Sequence, residues 1–391
     1  MNALLLAMVW GVVAAIGFAA LSKFERSSRL IVRAERPSLA PTRALWGGDP
    51  VHPPSRALTA RMLAGFARLA RPRSVVADHQ QVLRAVARGL GATALFIGLA
   101  MLPLVGAWGG GEGAALVLFD ARQGLALIAL ILLFIAFARS AVGLAERSPW
   151  SRMGSARQSS RAIASMALLT IVLAPLAIDA GSLRLHDIVS SQQLPIEALV
   201  GFLVTLAPGW EDTLRAWPLP SWNLFVQPLT ALLFAPAIAL WVTSPRVDDP
   251  ATGSLDLSGA GLDADPSDLY WSRFDARLAR IFAAGLFVTL FLGAGSIPFL
   301  DPGVVLTRLA PYYGEAVPRL IVTTILLGSF VMKMLLVLAF STRLARIMAS
   351  ARDDRTLRLA TRRLIPLAWA NLLLVAALSL WFARLAAGGA L

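Results

Sequence analysis

Residues 320–340 read LIVTTILLGSFVMKMLLVLAF and contain one charged residue, Lys333. An α-helix rises about 1.5 Å per residue, so a run of about 20 apolar residues crosses the roughly 30 Å hydrocarbon core of a bilayer. The stretch therefore predicts a membrane-spanning helix. An ammonium group at that depth costs about 3 kcal/mol or more unless a carboxylate or water faces it. We therefore expect Lys333 to belong to a buried network or a functional site.

Other apolar runs in the chain meet the same length test. Together with residues 320–340 they predict an all-α integral membrane protein with eight transmembrane helices and short interfacial helices. One more run, Pro195–Trp210, is too short and carries Glu197, so it is interpreted as an interfacial or re-entrant helix. The other seven predicted spans are Ala3–Leu21, Leu90–Trp108, Gly124–Phe137 with a short extension, Ala162–Ile178, Leu224–Val242, Ile281–Phe299 and Leu364–Phe382.

The composition excludes most other classes of protein. Of the 391 residues, 57% are hydrophobic and 15% are charged, whereas an ordinary soluble domain has about 25% charged residues. Cysteine is absent, which excludes disulfides, thiolate metal sites and iron–sulfur ligation by this chain. The three histidines are scattered without metal-ligand spacing, so no metal site is predicted.

Basic residues are distributed unevenly along the chain. The formal net charge is +13, and 34 of the 36 basic residues are arginine. Segments that follow the odd-numbered spans hold 28 of them, and segments that follow the even-numbered spans hold 6. Cytoplasmic loops of membrane proteins carry such an excess. The basic loops are therefore predicted to face the cytoplasm, with both termini on the outer side, and the charge requires no nucleic acid as a partner.

The chain is interpreted as a single transmembrane domain over residues 1–391. Its two long cytoplasmic loops are residues 22–86 and residues 243–280. Leu58–Leu69 is amphipathic and is predicted to lie along the membrane. Residues 251–267 are rich in Gly, Ser, Ala and Asp without a period, so we expect them to be mobile. No internal repeat is visible, which weakens the interpretation as an independent transporter built from inverted repeats.

Two stretches beside the fourth predicted span carry a family resemblance. They read Gly143-Leu-Ala-Glu-Arg-Ser-Pro-Trp-Ser-Arg-Met-Gly-Ser-Ala-Arg157 and Ala180-Gly-Ser-Leu-Arg-Leu-His-Asp-Ile-Val189. Both resemble segments of the eight-span membrane subunit of bacterial NADH-quinone oxidoreductase, the proton-pumping respiratory complex I. That family has Gly-Trp-Ala-Ser-x-Ser-x-Tyr-x-x-x-Gly-x-x-Arg before its fourth span and Ala-Gly-Ser-Leu-x-Leu-x-Asp-Ile-Val after it. Weaker matches follow the family's order at Glu25–Arg26, Gln227–Pro228, Leu290–Gly293, Lys333, Arg352–Asp354 and Leu364–Pro366.

The resemblance implies a divergent member of this family, and so a subunit of a quinone-reducing, proton-translocating enzyme in the bacterial inner membrane. Its partners would be the other membrane and peripheral subunits of complex I, quinone and the lipid bilayer. The chain would bind no cofactor itself, since flavin and iron–sulfur clusters belong to partner subunits and quinone is a substrate. The candidates for the quinone chamber and its coupling are Glu25, Arg26, Arg36, Arg157, Arg246, Asp268 and Arg273. The candidates for the proton path are Lys333, Asp248, Asp249, Asp275 and Asp354.

The sequence departs from the family pattern at acidic positions. Met166 and Thr243 stand where the family has glutamates, and Asp268 stands in the place of a third. Methionine and threonine do not titrate, so part of the proton path is altered. This leaves an alternative: a non-catalytic membrane anchor in a related complex of the membrane-bound hydrogenase type that has lost part of the path.

Overall fold

The computed structural model describes residues 8–21, 79–105, 117–145, 149–193, 221–242, 266–298, 302–314, 316–347 and 357–388. Regular structure within these ranges is helical throughout, as predicted for an all-α protein. A π-helical turn, Ala360–Leu364, precedes the last helix. The helices are α1 (Met8–Leu21), α2 (His79–Met101), α3 (Gly124–Leu144), α4 (Pro149–Ala180), α5 (Leu185–Ser191), α6 (Asn223–Val226), α7 (Pro228–Val242), α8 (Pro266–Phe291), α9 (Pro302–Tyr313), α10 (Ala316–Ile347) and α11 (Ile365–Gly388).

Several of these helices are long and apolar enough to cross a membrane. Five segments meet both conditions: Val82–Met101, Gly124–Leu144, Arg152–Ala180, Ala316–Thr342 and Leu357–Trp381. The apolar helices α1 and α7 are shorter. The helical class is thus confirmed, whereas the total of eight spans and the orientation of the termini stay predictions.

Two helices begin inside segments that the sequence interpretation treats as cytoplasmic loops. α2 begins at His79, within residues 22–86, and α8 begins at Pro266, within residues 243–280. Basic residues near the start of a helix mark a membrane boundary without ending the helix, so a helix can continue past that boundary into the cytoplasm. The two loop assignments stay predictions. The predicted segments Leu58–Leu69 and Pro195–Trp210, with residues 251–265, lie outside the described residues.

α8 ends earlier than the predicted span Ile281–Phe299. Gly293 and Ala294 have positive φ angles of 63° and 51°, which a right-handed helix cannot contain. The amide of Ala294 donates to the carbonyl oxygen of Val288 at 3.1 Å, so the chain turns back over the last turn of the helix. The predicted helix over Ile281–Phe299 is therefore wrong after Phe291, and the chain continues as turns.

α8 is buried along its second half. Nearly every side chain from Leu278 to Phe291 is buried. Small residues allow neighbouring helices to approach it, as expected for helices packed in a membrane. A Cβ atom at Gly98 of α2 would lie 2.9 Å from the ring of Phe282, and one at Gly285 would lie 3.1 Å from Leu102. Close packing along the second half of α8 therefore fixes where this helix ends.

The turn after α8 leaves no space for a side chain at Gly295. A Cβ atom there would lie 2.5 Å from the carbonyl oxygen of Leu326 and 2.9 Å from that of Leu104. Backbone oxygens cannot rotate away, so Gly295→Ala is expected to lower the free energy of unfolding by about 1–3 kcal/mol. Thermal unfolding in detergent measures this. Gly328→Ala is the control, because nothing lies within 4 Å of a Cβ at that position; equal melting temperatures for the two variants would contradict the prediction.

Candidate functional site: a lysine at the broken end of α8

Lys333 of α10 donates to three backbone carbonyl oxygens of the turn that follows α8. Its Nζ lies 2.7 Å from the oxygen of Leu292, 3.0 Å from that of Ala294 and 2.5 Å from that of Ser296. An ammonium group has three N–H donors, so these three bonds use all of them. The sequence predicted that Lys333 belongs to a buried network or a functional site, and its partners in the structure are backbone carbonyl groups.

Two features favour a cation at this position. The carbonyl groups of the turn lie outside any helix and need donors of their own, and the aligned peptide dipoles of α8 place partial negative charge at the adjacent helix end. A positive group at a helix C-terminus is therefore stabilising, the more so where water is excluded. Lys333 also lies over the ring of Trp222, 4.3 Å from the ring centroid, which adds a cation–π contact.

Trp222 is itself held in place by the turn. Its indole Nε1 donates to the hydroxyl of Ser296 at 3.1 Å. Gly293 lies close below the ring, since a Cβ there would be 3.1 Å from Trp222 Cδ1 and 2.6 Å from Ser296 Oγ. A side chain at Gly293 would therefore displace the tryptophan from Lys333.

Gln192 joins this turn to the segments before α6. Its Nε2 donates to the carbonyl oxygens of Ile188 at 3.1 Å and Thr289 at 3.2 Å. Its Oε1 accepts from the amides of Gly293 at 2.9 Å and Asn223 at 3.4 Å. The side chain is fully buried, so its hydrogen bonds are made to protein groups in place of water. The sequence interpretation missed Gln192 as a site residue.

Asn223 supplies a further link to α8. Its Nδ2 donates to the carbonyl oxygen of Leu290 at 2.8 Å, and the side chain is buried. A polar residue isolated between apolar neighbours, as in Trp-Asn223-Leu, is the signal that could have identified it. Asn223, Gln192 and Lys333 together satisfy the backbone groups released where α8 breaks.

A second buried charge cluster lies between α3, α7 and α8. The guanidinium Nε of Arg139 donates to Asp275 Oδ2 at 2.6 Å, and the two side chains are 11% and 22% exposed. Nη1 of Arg139 donates to the carbonyl oxygen of Trp241 at 3.2 Å, and the guanidinium lies 4.9 Å from the centroid of the Trp241 ring. Asp275, a proton-path candidate, is therefore a partner in an ion pair. Arg139 was not singled out from the sequence.

A chain of neutral polar groups connects α4, α7 and α11. Gln227 Nε2 donates to the carbonyl oxygen of Pro175 at 3.4 Å, and Gln227 Oε1 accepts from the hydroxyl of Thr230 at 3.1 Å. Asn371 Nδ2 donates to the same hydroxyl at 2.9 Å. All three polar side chains are buried. Such bonds hold helices together where the hydrophobic effect is weak.

The structure brings together few of the residues named from the sequence. Asp275 and Lys333 are placed in separate clusters, on the first half of α8 and against its end. Arg157 is exposed on α4, and Asp268 and Arg273 lie on the first turns of α8. Met166, where the family has a glutamate, is buried. Outside the described residues lie Glu25, Arg26, Arg36, Arg246, Asp248, Asp249 and Asp354.

The helices and the two compensated charges define the class of the protein. It is a helical membrane protein in which one helix ends inside the bundle and several polar side chains are buried between helices. Within the described residues, no group of three or more His, Asp or Glu side chains could hold a metal ion. Residues 59–376 match the NADH dehydrogenase family, and the chain belongs to that family. No curated protein matches the chain. A multi-pass helical member of this family is a membrane subunit of the NADH dehydrogenase complex.

Removing the charge of Lys333 should destabilise the fold. Lys333→Met keeps the length of the side chain but leaves three carbonyl groups without donors, so a loss of about 3 kcal/mol or more is expected. Thermal unfolding of the purified protein in detergent measures it. Met332→Leu is the matched control, because Met332 is 61% exposed on the other face of α10. A Lys333→Met protein as stable as this control would show that the carbonyl contacts contribute nothing.

The ion pair of Arg139 and Asp275 should behave as one unit. Arg139→Met and Asp275→Leu are each expected to cost about 3 kcal/mol, because each strands a buried charge, while the double variant should cost about 1–3 kcal/mol less than the sum. Stability of the four proteins gives the coupling. The Arg184–Asp120 pair, 45% and 28% exposed, is the control and should show a coupling of about 1 kcal/mol or less. Additive effects at both pairs would contradict the interpretation.

Proposed function

We propose that the chain lines the quinone chamber of an NADH dehydrogenase complex and couples quinone reduction to proton transfer. The observation that carries the proposal is the family match over residues 59–376. In the resembling family, the quinone tail passes between the first and sixth spans, which correspond here to α1 and α8. The complex would have both termini of this chain on the outer side of the bacterial inner membrane.

The contact between α1 and α8 supports this location. Phe18 of α1 stacks on Phe274 of α8, with ring centroids 5.4 Å apart, and Trp271 meets Phe274 edge-on at 5.8 Å. Flat aromatic faces pack well against a quinone ring and its apolar tail. Asp268 and Arg273, two of the chamber candidates, occupy neighbouring turns of the same helix and would supply the polar groups for the quinone oxygens.

The proposed coupling differs from a path of titrating carboxylates. Asp275 is paired with Arg139, and the three donors of Lys333 are bonded to carbonyl oxygens. Both groups would therefore set the local potential beside the path, and a proton would move through water or through groups of partner subunits. Met166, which does not titrate, fits a path that bypasses this position.

Removing the aromatic contact tests the chamber directly. Phe18→Ala and Trp271→Ala should raise the KM for a short-chain quinone about threefold to tenfold, since one aromatic contact is worth about 0.5–1.5 kcal/mol. The assay uses the whole purified complex with NADH as donor. Reduction of ferricyanide by NADH, which needs no quinone, should stay unchanged and reports on the integrity of the complex.

The control for these variants is Phe340→Ala. Phe340 is 66% exposed on α10 and lies far along the chain from the proposed chamber. A KM that is unchanged in Phe18→Ala and Trp271→Ala, or raised equally in Phe340→Ala, would overturn the location of the chamber.

A second function, the membrane anchor of a related hydrogenase-type complex, is favoured by one observation. Met166, which stands where the resembling family has a glutamate, is buried and cannot carry a proton. The subunit composition of the purified complex separates the two functions. Flavin and iron–sulfur subunits with NADH:quinone activity would support the first, whereas nickel–iron hydrogenase subunits would support the second.

A further inference from the structure

The route that a quinone would take between α1 and α8 is closed in this structure. A Cβ atom at Gly17 of α1 would lie 3.1 Å from Cγ1 of Ile281 on α8, so the two helices touch there. Beside this contact, the ring of Phe18 stacks on the ring of Phe274, with centroids 5.4 Å apart and planes inclined by 22°. Atoms in van der Waals contact leave no room for a hydrocarbon chain between them. A quinone tail can therefore pass here only after the helices separate.

The closed contact also covers a surface on which a quinone ring would stack. Phe18 lies against one face of Phe274, while Trp271 meets Phe274 edge-on with ring centroids 5.8 Å apart. An aromatic ring binds another flat ring through its face or its edge, and Phe18 already occupies this face. Phe18 must therefore move before a quinone ring can take its place on Phe274.

α8 is the fixed side of this contact, because polar bonds hold it to other helices. Near its start, Asp275 is paired with Arg139 of α3 at 2.6 Å. Near its end, the carbonyl oxygen of Leu290 accepts from Nδ2 of Asn223 at 2.8 Å. Removing one partner of such a buried bond leaves the other without a hydrogen bond, which costs free energy. A separation of α1 from α8 that leaves these bonds intact requires α1 to move.

α1 is held by weaker contacts. The indole ring of Trp10 meets the ring of Phe330 on α10 edge-on, with centroids 6.2 Å apart. Its Nε1 is buried and has no hydrogen-bond partner among the described residues, and such a donor destabilises the position that buries it. Met8, Val12 and Ile16 follow one another at intervals of four residues and are 65%, 58% and 38% exposed. They form an apolar stripe that lipid can cover in either position of the helix.

We propose that α1 is a lateral gate, which moves away from α8 to admit a quinone from the bilayer and returns when the quinone leaves. This inference rests on the proposed quinone function, because the quinone is the molecule that the gate admits. In the open position, the isoprenoid tail replaces the contact between the two helices, so apolar surface stays buried in both positions. In the closed position, Phe18 covers Phe274 and keeps lipid chains out of the chamber.

A disulfide between α1 and α8 tests the gate in the whole purified complex. The chain contains no cysteine, so Gly17→Cys and Ile281→Cys introduce the only two thiols of this subunit. A Cβ atom at Gly17 would lie one carbon–carbon bond beyond 3.1 Å from Cβ of Ile281 at most. The two Cβ atoms are thus less than about 5 Å apart, close to their separation in a disulfide. The complex is oxidised mildly in nanodiscs, and the remaining thiols of the subunit are counted with maleimide–polyethylene glycol.

Reduction of quinone extracted from the native membrane should fall in proportion to the cross-linked fraction, about tenfold when about nine-tenths of the complexes are cross-linked. Reduction of ferricyanide by NADH should stay unchanged, and a thiol reductant should restore quinone reduction. The thiol form of the same variant is the reference, which separates the effect of the cross-link from that of the substitutions. The matched control, Gly91→Cys with Ala138→Cys, joins α2 to α3, since a Cβ at Gly91 would lie 3.5 Å from that of Ala138. It should keep its activity after oxidation.

Two results would overturn the gate. Quinone reduction as fast in the cross-linked complex as in its thiol form would show that α1 does not need to move. An equal loss in the control pair would show that oxidation or general stiffening of the bundle is responsible. If the cross-link has no effect while Phe18→Ala and Trp271→Ala raise the KM, the gate fails and the chamber stands. If the two alanine variants also leave the KM unchanged, the proposed chamber fails together with the gate.

Discussion

The contact on which the rest of the fold depends is the one between the ammonium group of Lys333 and the carbonyl groups of the turn that follows α8. A helix that stops inside an apolar layer exposes carbonyl groups that neither lipid nor a neighbouring helix can satisfy. A lysine in the middle of an apolar helix has the complementary problem, because its charge has no water. The ammonium group supplies donors to the carbonyl groups, and the carbonyl groups compensate the charge of the lysine. α8 can therefore end at Phe291, and the turn after it can pack against α10 and the segment that follows α2.

The same rule governs the other polar groups buried in the bundle. Arg139 is compensated by Asp275 and by the face of Trp241, and the amides of Gln227 and Asn371 meet at the hydroxyl of Thr230. Charged groups held in this way keep one position, because each partner fixes the other. In this member of the NADH dehydrogenase family, the two charges therefore hold the helices together.

Prediction from the sequence succeeded where the signal is local. The apolar runs located the helices α3, α4, α7 and α10, although α4 begins at Pro149, well before the predicted start at Ala162, because hydropathy needs only neighbouring residues. The depth of Lys333 in its run identified it as a buried group. Prediction failed at the end of α8, where Ile281–Phe299 lacks charged residues and hydropathy alone cannot distinguish a helix from a turn. It also failed to find Arg139. The sequence around an arginine near the end of a span is the same whether the side chain faces water or a carboxylate 136 residues away.

By itself, the sequence determined that this is a helical membrane protein with an arginine-rich side, and its motifs determined the family that it resembles. Composition and period carry this information because burial in lipid acts on each residue separately. Only the tertiary structure decided which polar groups compensate each other: Lys333 with the carbonyls after α8, Asp275 with Arg139, and Gln192 with Gly293. Those pairings join residues distant in the chain, and their distances and angles exist only once the helices are packed.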